Sequence, residues 1–304
     1  NTKKIIKYLN IKNQDITITS LPISYVYGLS VINTHLLAGA TIVLTNRSMV
    51  EKKFWDLIAT FKVNNFSGVP YNYSIIEKIS KKGLPSSLKY TTQAGGKMNR
   101  ILIKNIINIY KKHEIKLIQM YGAAEATSRM SYLNWKYADK KIGSIGKPIP
   151  GGSFYLIDKK EKKFKKKFKK GELVYQGKNV CMGYAESLRD LSLPDLNKGL
   201  LKTGDIAYKD NNGFYFIVGR KNRYTKIYGI RVDLSELESI LSKRDIDVIM
   251  KEGDENKIEV YSKNSLKIKE GIKYISKVTS LNANIFITKI LSKKNLTNNF
   301  KYKL

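Results

Sequence analysis

The sequence predicts an α/β fold: a mostly parallel sheet with flanking helices, then a small β-barrel-like subdomain, then a small α+β domain at the carboxyl end. Three observations carry that reading. Over about the first 140 residues, short β-branched runs alternate with stretches of helical spacing, the pattern that places helices on the faces of a parallel sheet. From Gly143 onward, Pro148, Gly151, Gly152, Gly171, Gly177, Gly183 and Gly213 punctuate short strands. After Gly219-Arg220 a short linker leads to a compact tail.

The elements follow in order. Ile16 to Pro22 is a strand ending in a proline stop, Ser30 to Ala38 is helical, and Ala40 to Leu44 is a β-branched strand. Phe54 to Phe61 returns to helical spacing, Asn65 to Pro70 is strand and turn, and Tyr73 to Ile79 is helical again. Leu88 to Thr92 is a strand running into Ala94-Gly95-Gly96. Lys104 to Lys111 is a helix, and Ile115 to Met120 is the strand before Tyr121. Phe154–Ile157 and Glu172–Tyr175 are strand-like and flank the densest lysine run, Lys159 to Lys170, which reads as a solvated hairpin tip. Ser235 to Leu241 opens the helix of the tail, with Asp233 as its N-cap. There are no internal repeats.

Size and charge bound the function. The chain has 304 residues, enough for about two domains, and 42% of them are hydrophobic, ample for a packed core. No window approaches the roughly 18 apolar residues of a membrane span. Asn1 to Ile6 lack the apolar core and cleavage site of a signal peptide, and the lone Cys181 fits a reducing cytoplasm. No Cys/His cluster has zinc-ligand spacing, and His35 and His113 each sit alone, as structural histidines do. The net charge of +31 is mostly lysine scattered through every segment, with few arginines and none clustered. That implies no specific nucleic-acid face, only weak attraction to polyanions at low salt.

Four motifs carry chemistry. Tyr121-Gly122-Ala123-Ala124-Glu125 follows a strand, where open α/β sheets bind ligands; an aromatic ring there can stack on a base and a carboxylate can hold magnesium. Ala94-Gly95-Gly96, at another strand end, lets the backbone approach a flat ligand. In Thr203-Gly204-Asp205 a carboxylate can accept both hydroxyls of a ribose. Gly219-Arg220 and the stretch to Val232 gather Arg220, Lys226 and Arg231. Standing alone, these are a helix-starting loop, a small-residue turn, a turn aspartate and a basic hairpin. Their order lifts them above that reading.

In this order, from about Leu21 to Glu238, the motifs resemble the adenylate-forming (AMP-binding) superfamily of acyl-CoA synthetases and amino-acid adenylation enzymes. These enzymes join a carboxylic acid to AMP and then pass it to a thiol. The wording around Arg129 to Leu133 and Ser144 to Gly152 resembles a branch of synthetases encoded with bacterial surface-polysaccharide genes. The resemblance implies ATP/AMP, Mg2+ and a thiol of coenzyme A or phosphopantetheine as cofactors. A small carboxylic acid would be the substrate, with an acyl carrier protein as possible partner. Residues 1–221 would be the carboxyl-terminal part of the large domain (1–140 the α/β part, 141–221 the β subdomain), and 222–304 a small mobile domain. Tyr121 and Gly122 would meet the adenine, Glu125 the metal, Asp205 and Arg220 the ribose, and Ala94, Gly95 and Gly96 the adenine and acyl group. Tyr25, Tyr27, Gly28 and Val69 would line the acyl pocket, with Tyr25 where amino-acid-activating members usually place an aspartate. Lys226 and Arg231 would serve adenylation, and Asn222 would be the hinge.

The chain departs from the family pattern at several points. Ala124 replaces a threonine whose hydroxyl reaches phosphate, a hydrogen bond worth about 1.5–3 kcal/mol. Asn222 stands where aspartate or lysine is usual, and Lys301 is the nearest candidate for the family's terminal catalytic lysine. The glycine-rich phosphate loop is missing, and residue 1 is Asn. The expectation is a partial chain of an acid–thiol ligase, inactive alone. An amino-acid-activating enzyme and a degenerate AMP-binding homologue remain as alternatives.

Overall fold

A computed structural model describes residues 1–221, 224–228, 230–254 and 256–291. The first half forms α1 (Thr2–Leu9), β1 (Ile16–Ile18), α2 (Val26–Leu37), β2 (Thr41–Val43), α3 (Lys52–Thr60), β3 (Asn65–Gly68), α4 (Pro70–Ile79), β4 (Tyr90–Gln93), α5 (Arg100–Lys112), β5 (Lys116–Tyr121), β6 (Ser131–Leu133) and β7 (Lys147–Pro148). The strands make one seven-stranded sheet in the order β2-β1-β3-β4-β5-β6-β7. Pairing is parallel from β2 to β5 and antiparallel for β6 and β7. The alternation of strand and helix in the sequence is thus realised as the mostly parallel sheet it predicts.

Helix starts are earlier than periodicity suggests, because caps and proline set them. Pro70 occupies the first turn of α4, where its missing N–H is no loss, and the Asn72 side chain accepts from Val69 N at 2.8 Å. Asn99 Oδ1 accepts from Ile101 N at 2.7 Å and opens α5. The first helical turn of α2 holds buried Tyr27 and Gly28, which break the amphipathic pattern.

The second region is a five-stranded antiparallel sheet, ordered β12-β11-β10-β8-β9. Its strands are β8 (Gly152–Ile157), β9 (Lys163–Phe164), β10 (Gly171–Gly177), β11 (Leu200–Lys209) and β12 (Tyr215–Arg220). Phe154, Leu156, Leu173, Tyr175, Ala207 and Tyr215 fill its core together with Ala126 and Met130, so the two regions share packing. The lysine run is not simply a hairpin tip. It contains β9, held by register against β8 through Leu156↔Phe164 and Ile157↔Lys163.

The tail has a hairpin of β13 (Tyr224–Ile227) and β14 (Ile230–Asp233), then α6 (Leu234–Ser242), β15 (Ile249–Glu252), β16 (Ile258–Ser262), α7 (Ser265–Thr279) and β17 (Phe286–Ile290). Asp233 caps α6 as expected, accepting from Ser235 N and Glu236 N. Among the described residues, no helix is long and apolar enough to cross a membrane.

Candidate active site

The loop after β5 is shaped by close backbone approach. A Cβ at Gly122 would lie 1.7 Å from Ser128 O, so only glycine passes there. Met130 N donates back to Tyr121 O at 2.9 Å and Ser128 N to Ala123 O at 3.1 Å, closing the loop on itself. Asn179 Nδ2 donates to Ala126 O at 2.7 Å and ties it to the β subdomain. Tyr121 is thereby fixed at the carboxyl end of the sheet, its ring edge-on to Phe154.

Strand β11 brings Asp205 to the same place. Thr203 Oγ1 donates to Leu173 O at 2.8 Å and accepts from Asp205 N at 3.1 Å, while Gly204 takes a φ of +70° between them. The Tyr121 hydroxyl donates to Asp205 Oδ2 at 2.5 Å, and Arg220 Nε donates to Asp205 Oδ1 at 2.8 Å. Asp205 and Arg220 are cross-strand partners, so sheet register sets this pair. The Asp205 side chain is 9% exposed and that of Arg220 65%, which leaves an oriented carboxylate at the floor and a cation at the rim. Burial, with the negative charge of Asp205 second, pushes the Tyr121 hydroxyl well above its ordinary range and keeps it a donor. Arg220 is raised in turn, first by its hydrogen bond to Asp205.

Glu125 stands at the open side of the loop. Tyr184 Oη donates to its Oε1 at 2.5 Å, and that bond, more than any other cause, holds its carboxyl below the usual range. Tyr184 was not legible as a partner in the sequence; only its place in Gly183-Tyr184 marked it. Among the described residues no group of three or more His, Cys, Asp or Glu could hold a metal. Glu125 would offer a single ligand, which suits a magnesium ion carried in on phosphates rather than one caged by protein.

A second cluster lies at the ends of β3 and β4. Gly95 has a φ of +79°, and a Cβ there would lie 2.5 Å from Tyr25 Oη and 3.0 Å from Val69 Cγ1. Tyr25, Val69, Ala94 and Gly95 are thus brought together; Gly96 follows, its carbonyl accepting from Gln93 Nε2 at 2.9 Å. Tyr27 lies behind them as a core residue, 2% exposed, its hydroxyl bonded to Thr92 O at 2.9 Å, and burial pushes that hydroxyl up to about 12. Gly28 packs against backbone, since a Cβ would come within 2.2 Å of Pro22 O.

Lys226 and Arg231 pair directly across β13 and β14, on a hairpin separate from the Tyr121–Asp205–Arg220 group. Asn222 and Lys301 lie outside the described residues.

Comparison with known proteins identifies the family to which this fold belongs. Residues 1–185 match the family model described as AMP-binding enzyme. The chain is 25% identical over 235 residues to the 2-succinylbenzoate–CoA ligase of Bacillus pumilus, covering 77% of this chain and 46% of that protein. It is 28% identical over 235 residues to 4-coumarate–CoA ligase-like 6 of Arabidopsis thaliana, covering 75% and 41%. The chain therefore spans less than half the length of these curated relatives. Among solved structures, the O-succinylbenzoate coenzyme A synthetase of Bacillus subtilis in complex with AMP superposes with a TM-score of 0.75 at 21% identity, covering 99% of this chain and 62% of that one. The anthranilate CoA ligase AuaEII in complex with anthranoyl-AMP gives 0.73 at 18%, covering 99% and 62%. The family match over residues 1–185 and the shared fold lead to one conclusion: the chain belongs to the AMP-binding enzyme family.

Proposed function

We propose that this chain is part of an ATP-dependent carboxylic acid–thiol ligase, which forms an acyl-adenylate with release of pyrophosphate and passes the acyl group to coenzyme A or a phosphopantetheine thiol. The observation that carries this is the convergence of Tyr121 and Arg220 on the buried carboxylate of Asp205. Two of that carboxylate's lone-pair sites are engaged, and about two remain for ribose hydroxyls. Tyr121 supplies an aromatic face for adenine, and the glycines at 95, 96 and 122 let the base approach backbone. Arg220 at the rim contacts the ribose and Glu125 ligates the magnesium, which shields phosphate charge when bound. Tyr25 and Val69 contact the acyl group, with Tyr27 and Gly28 backing them.

Residues 222–304 act as the mobile domain, turning about Asn222. Lys226 stabilises charge developing as carboxylate attacks phosphorus, and Arg231 assists in the same half-reaction. The carrier-protein alternative for the acceptor thiol draws support from the likeness to the McyG A-PCP structure complexed with phenylalanyl-adenylate, with a TM-score of 0.72 at 18% identity.

Calorimetric titration of the 304-residue chain with AMP tests the reading. Saturable binding is expected, weakened about 10- to 150-fold in Asp205→Ala and also weakened in Tyr121→Ala. Absence of AMP binding, or binding indifferent to Asp205→Ala, would overturn it.

A further inference from the structure

Between β8 and β10 the chain spends its acidic groups locally and leaves most of its cations unneutralised. Nine of the twelve residues from Lys159 to Lys170 are lysine, with Glu161 as their one acid. Asp158, just before them, is taken up by the turn into β9: its Oδ1 accepts from Lys160 N and Lys162 N, each at 2.9 Å. Glu161 pairs outside the run, with Lys202 at 2.6 Å, and Lys170 reaches Glu236 at 3.6 Å. Among the described residues no carboxylate pairs with the other eight lysines of the run.

Two phenylalanines divide the run and face opposite ways. Phe164 turns inward from β9 and packs against the core of the five-stranded sheet, which holds the lysines around it at the sheet's edge. Phe168 turns outward: it is 57% exposed, and its ring lies 5.9 Å from that of Tyr208, which stacks on Phe216. Tyr208 and Phe216 are cross-strand partners on the face away from Ala207 and Tyr215. The Phe168 backbone takes a φ of +59°, strained for a bulky residue, and its N–H donates to Lys209 O at 2.9 Å. A ring is thus presented to solvent within the densest positive charge of the chain. Lysines on an edge strand also discourage strand pairing, but that need does not call for an exposed phenylalanine.

We propose that residues 159–170 dock the protein on an anionic lipid bilayer, the lysines meeting headgroup phosphates and Phe168 entering the interfacial layer. Ammonium groups suit a surface of many mobile anions, whereas recognition of a defined phosphate or base favours the arginine fork, which the run lacks. Exposed rings beside cations anchor at the boundary between headgroups and acyl chains. Each lysine near such a surface contributes about fivefold in partitioning, and the effect fades beyond a Debye length of about 8 Å. The proposal is independent of the nucleotide site.

Co-sedimentation of the 304-residue chain with vesicles at about 0.15 M salt tests it. Wild type should pellet with phosphatidylcholine and phosphatidylglycerol mixed at about three to one, and not with phosphatidylcholine alone. Joint replacement Lys165→Gln, Lys166→Gln and Lys167→Gln should weaken that binding about 100-fold, and Phe168→Ala about five- to tenfold. Joint replacement Lys52→Gln, Lys53→Gln and Lys62→Gln, at exposed positions in and just after α3, should leave it within about twofold. All these side chains are exposed, so the far-ultraviolet circular dichroism of each variant should match wild type. Equal pelleting of wild type with both vesicles, or with neither, overturns the proposal. So does undiminished binding in the 165–167 variant, or equal loss in the two triple variants, which would assign binding to net charge alone. Tighter binding to a duplex DNA oligonucleotide than to the mixed vesicles, lost in the 165–167 variant, would assign the run to nucleic acid and overturn it as well.

Discussion

On one face of the seven-stranded sheet, α3, α4 and α5 bury Phe54, Ile58, Ile76, Ile103 and Ile106 against Phe66 and Leu117, each 3% exposed or less. On the other face, α1 and α2 cover Ile118 and Met120, but this layer also holds Tyr27, Ser30, Thr34, His35 and Arg129, all buried. The first face is close-packed hydrocarbon, interrupted by the hydroxyl chain Tyr73–Thr91–Tyr110. The second is a polar layer running to the loop that carries Tyr121. Arg129 is its extreme member: 1% exposed, with Nη2 on Ser30 Oγ at 3.0 Å, its guanidinium over the Tyr27 ring, and Nε without a hydrogen-bond partner among the described residues. One face holds the fold, and the other gives up stability to fix backbone near the candidate site.

The largest test of that division is Phe54→Ala. Removing a side chain with no exposed surface should cost about 3–5 kcal/mol in urea unfolding. AMP affinity in the absence of denaturant should not change. A loss below about 1 kcal/mol would mean this face collapses around the cavity and is not the rigid one.

Arg129→Met comes next and should move the other way. The guanidinium is buried among Tyr27, Ser30 and Met120, and no carboxylate within ion-pair distance appears among the described residues. Replacing a buried charge with a similarly sized apolar chain is often neutral or stabilising by about 1–4 kcal/mol. Unfolding stability should hold or rise while AMP affinity falls, because the loop between Gly122 and Met130 loses its anchor to α2. A destabilised variant with intact AMP binding would reverse the roles assigned to the two faces.

Asp205→Ala addresses the site directly. Losing hydrogen bonds to a charged acceptor should weaken AMP binding by about 1.5–3 kcal/mol, roughly 10- to 150-fold. Stability should fall by about 1–3 kcal/mol, because the buried Tyr121 hydroxyl loses its acceptor, whereas the Arg220 side chain left behind is 65% exposed and can hydrate. Calorimetry and urea unfolding on the same preparation separate the two effects.

The sequence made the site more legible than the scaffold around it, for physical reasons. Asp205 and Tyr121 sit beside glycines at strand ends, and both the turn and the chemistry leave a mark in residue type. The Asp233 cap was readable because capping needs a short acceptor before an apolar run. By contrast α1 is eight residues long and buries Ile5 and Leu9, four apart; the helical period is present, but over so short a run that it does not stand out. Strand β9 is two residues long inside a lysine run and exists only by register with β8. The Tyr184–Glu125 bond joins residues 59 apart and depends on tertiary structure alone. The burial of Arg129 likewise leaves no local mark in the sequence, because nothing nearby distinguishes an arginine that will be buried.

The smallest expected effect is the pH dependence that the polar face imposes through His35. Its Nδ1 lies 2.8 Å from Val31 O, so it donates there as a neutral ring, while Nε2 is buried with no hydrogen-bond partner among the described residues. Burial lowers its pKa below the ordinary 6.5; the hydrogen bond to Val31 opposes this in part, and the Arg129 charge adds a lesser push downward. The folded chain therefore resists a proton that the unfolded chain accepts. As pH falls through 6.5 the unfolded state binds more protons at this position, and stability declines by at most about 1.4 kcal/mol per pH unit until the folded histidine also protonates. Urea unfolding of wild type between pH 7 and 5 should show this slope, and His35→Gln should flatten it. An equal slope in His35→Gln would place the proton uptake elsewhere and remove the polar layer from the account of acid sensitivity. His35 is the one buried histidine among the described residues and lies on the polar face, so Phe54→Ala should lower the whole curve without changing its shape.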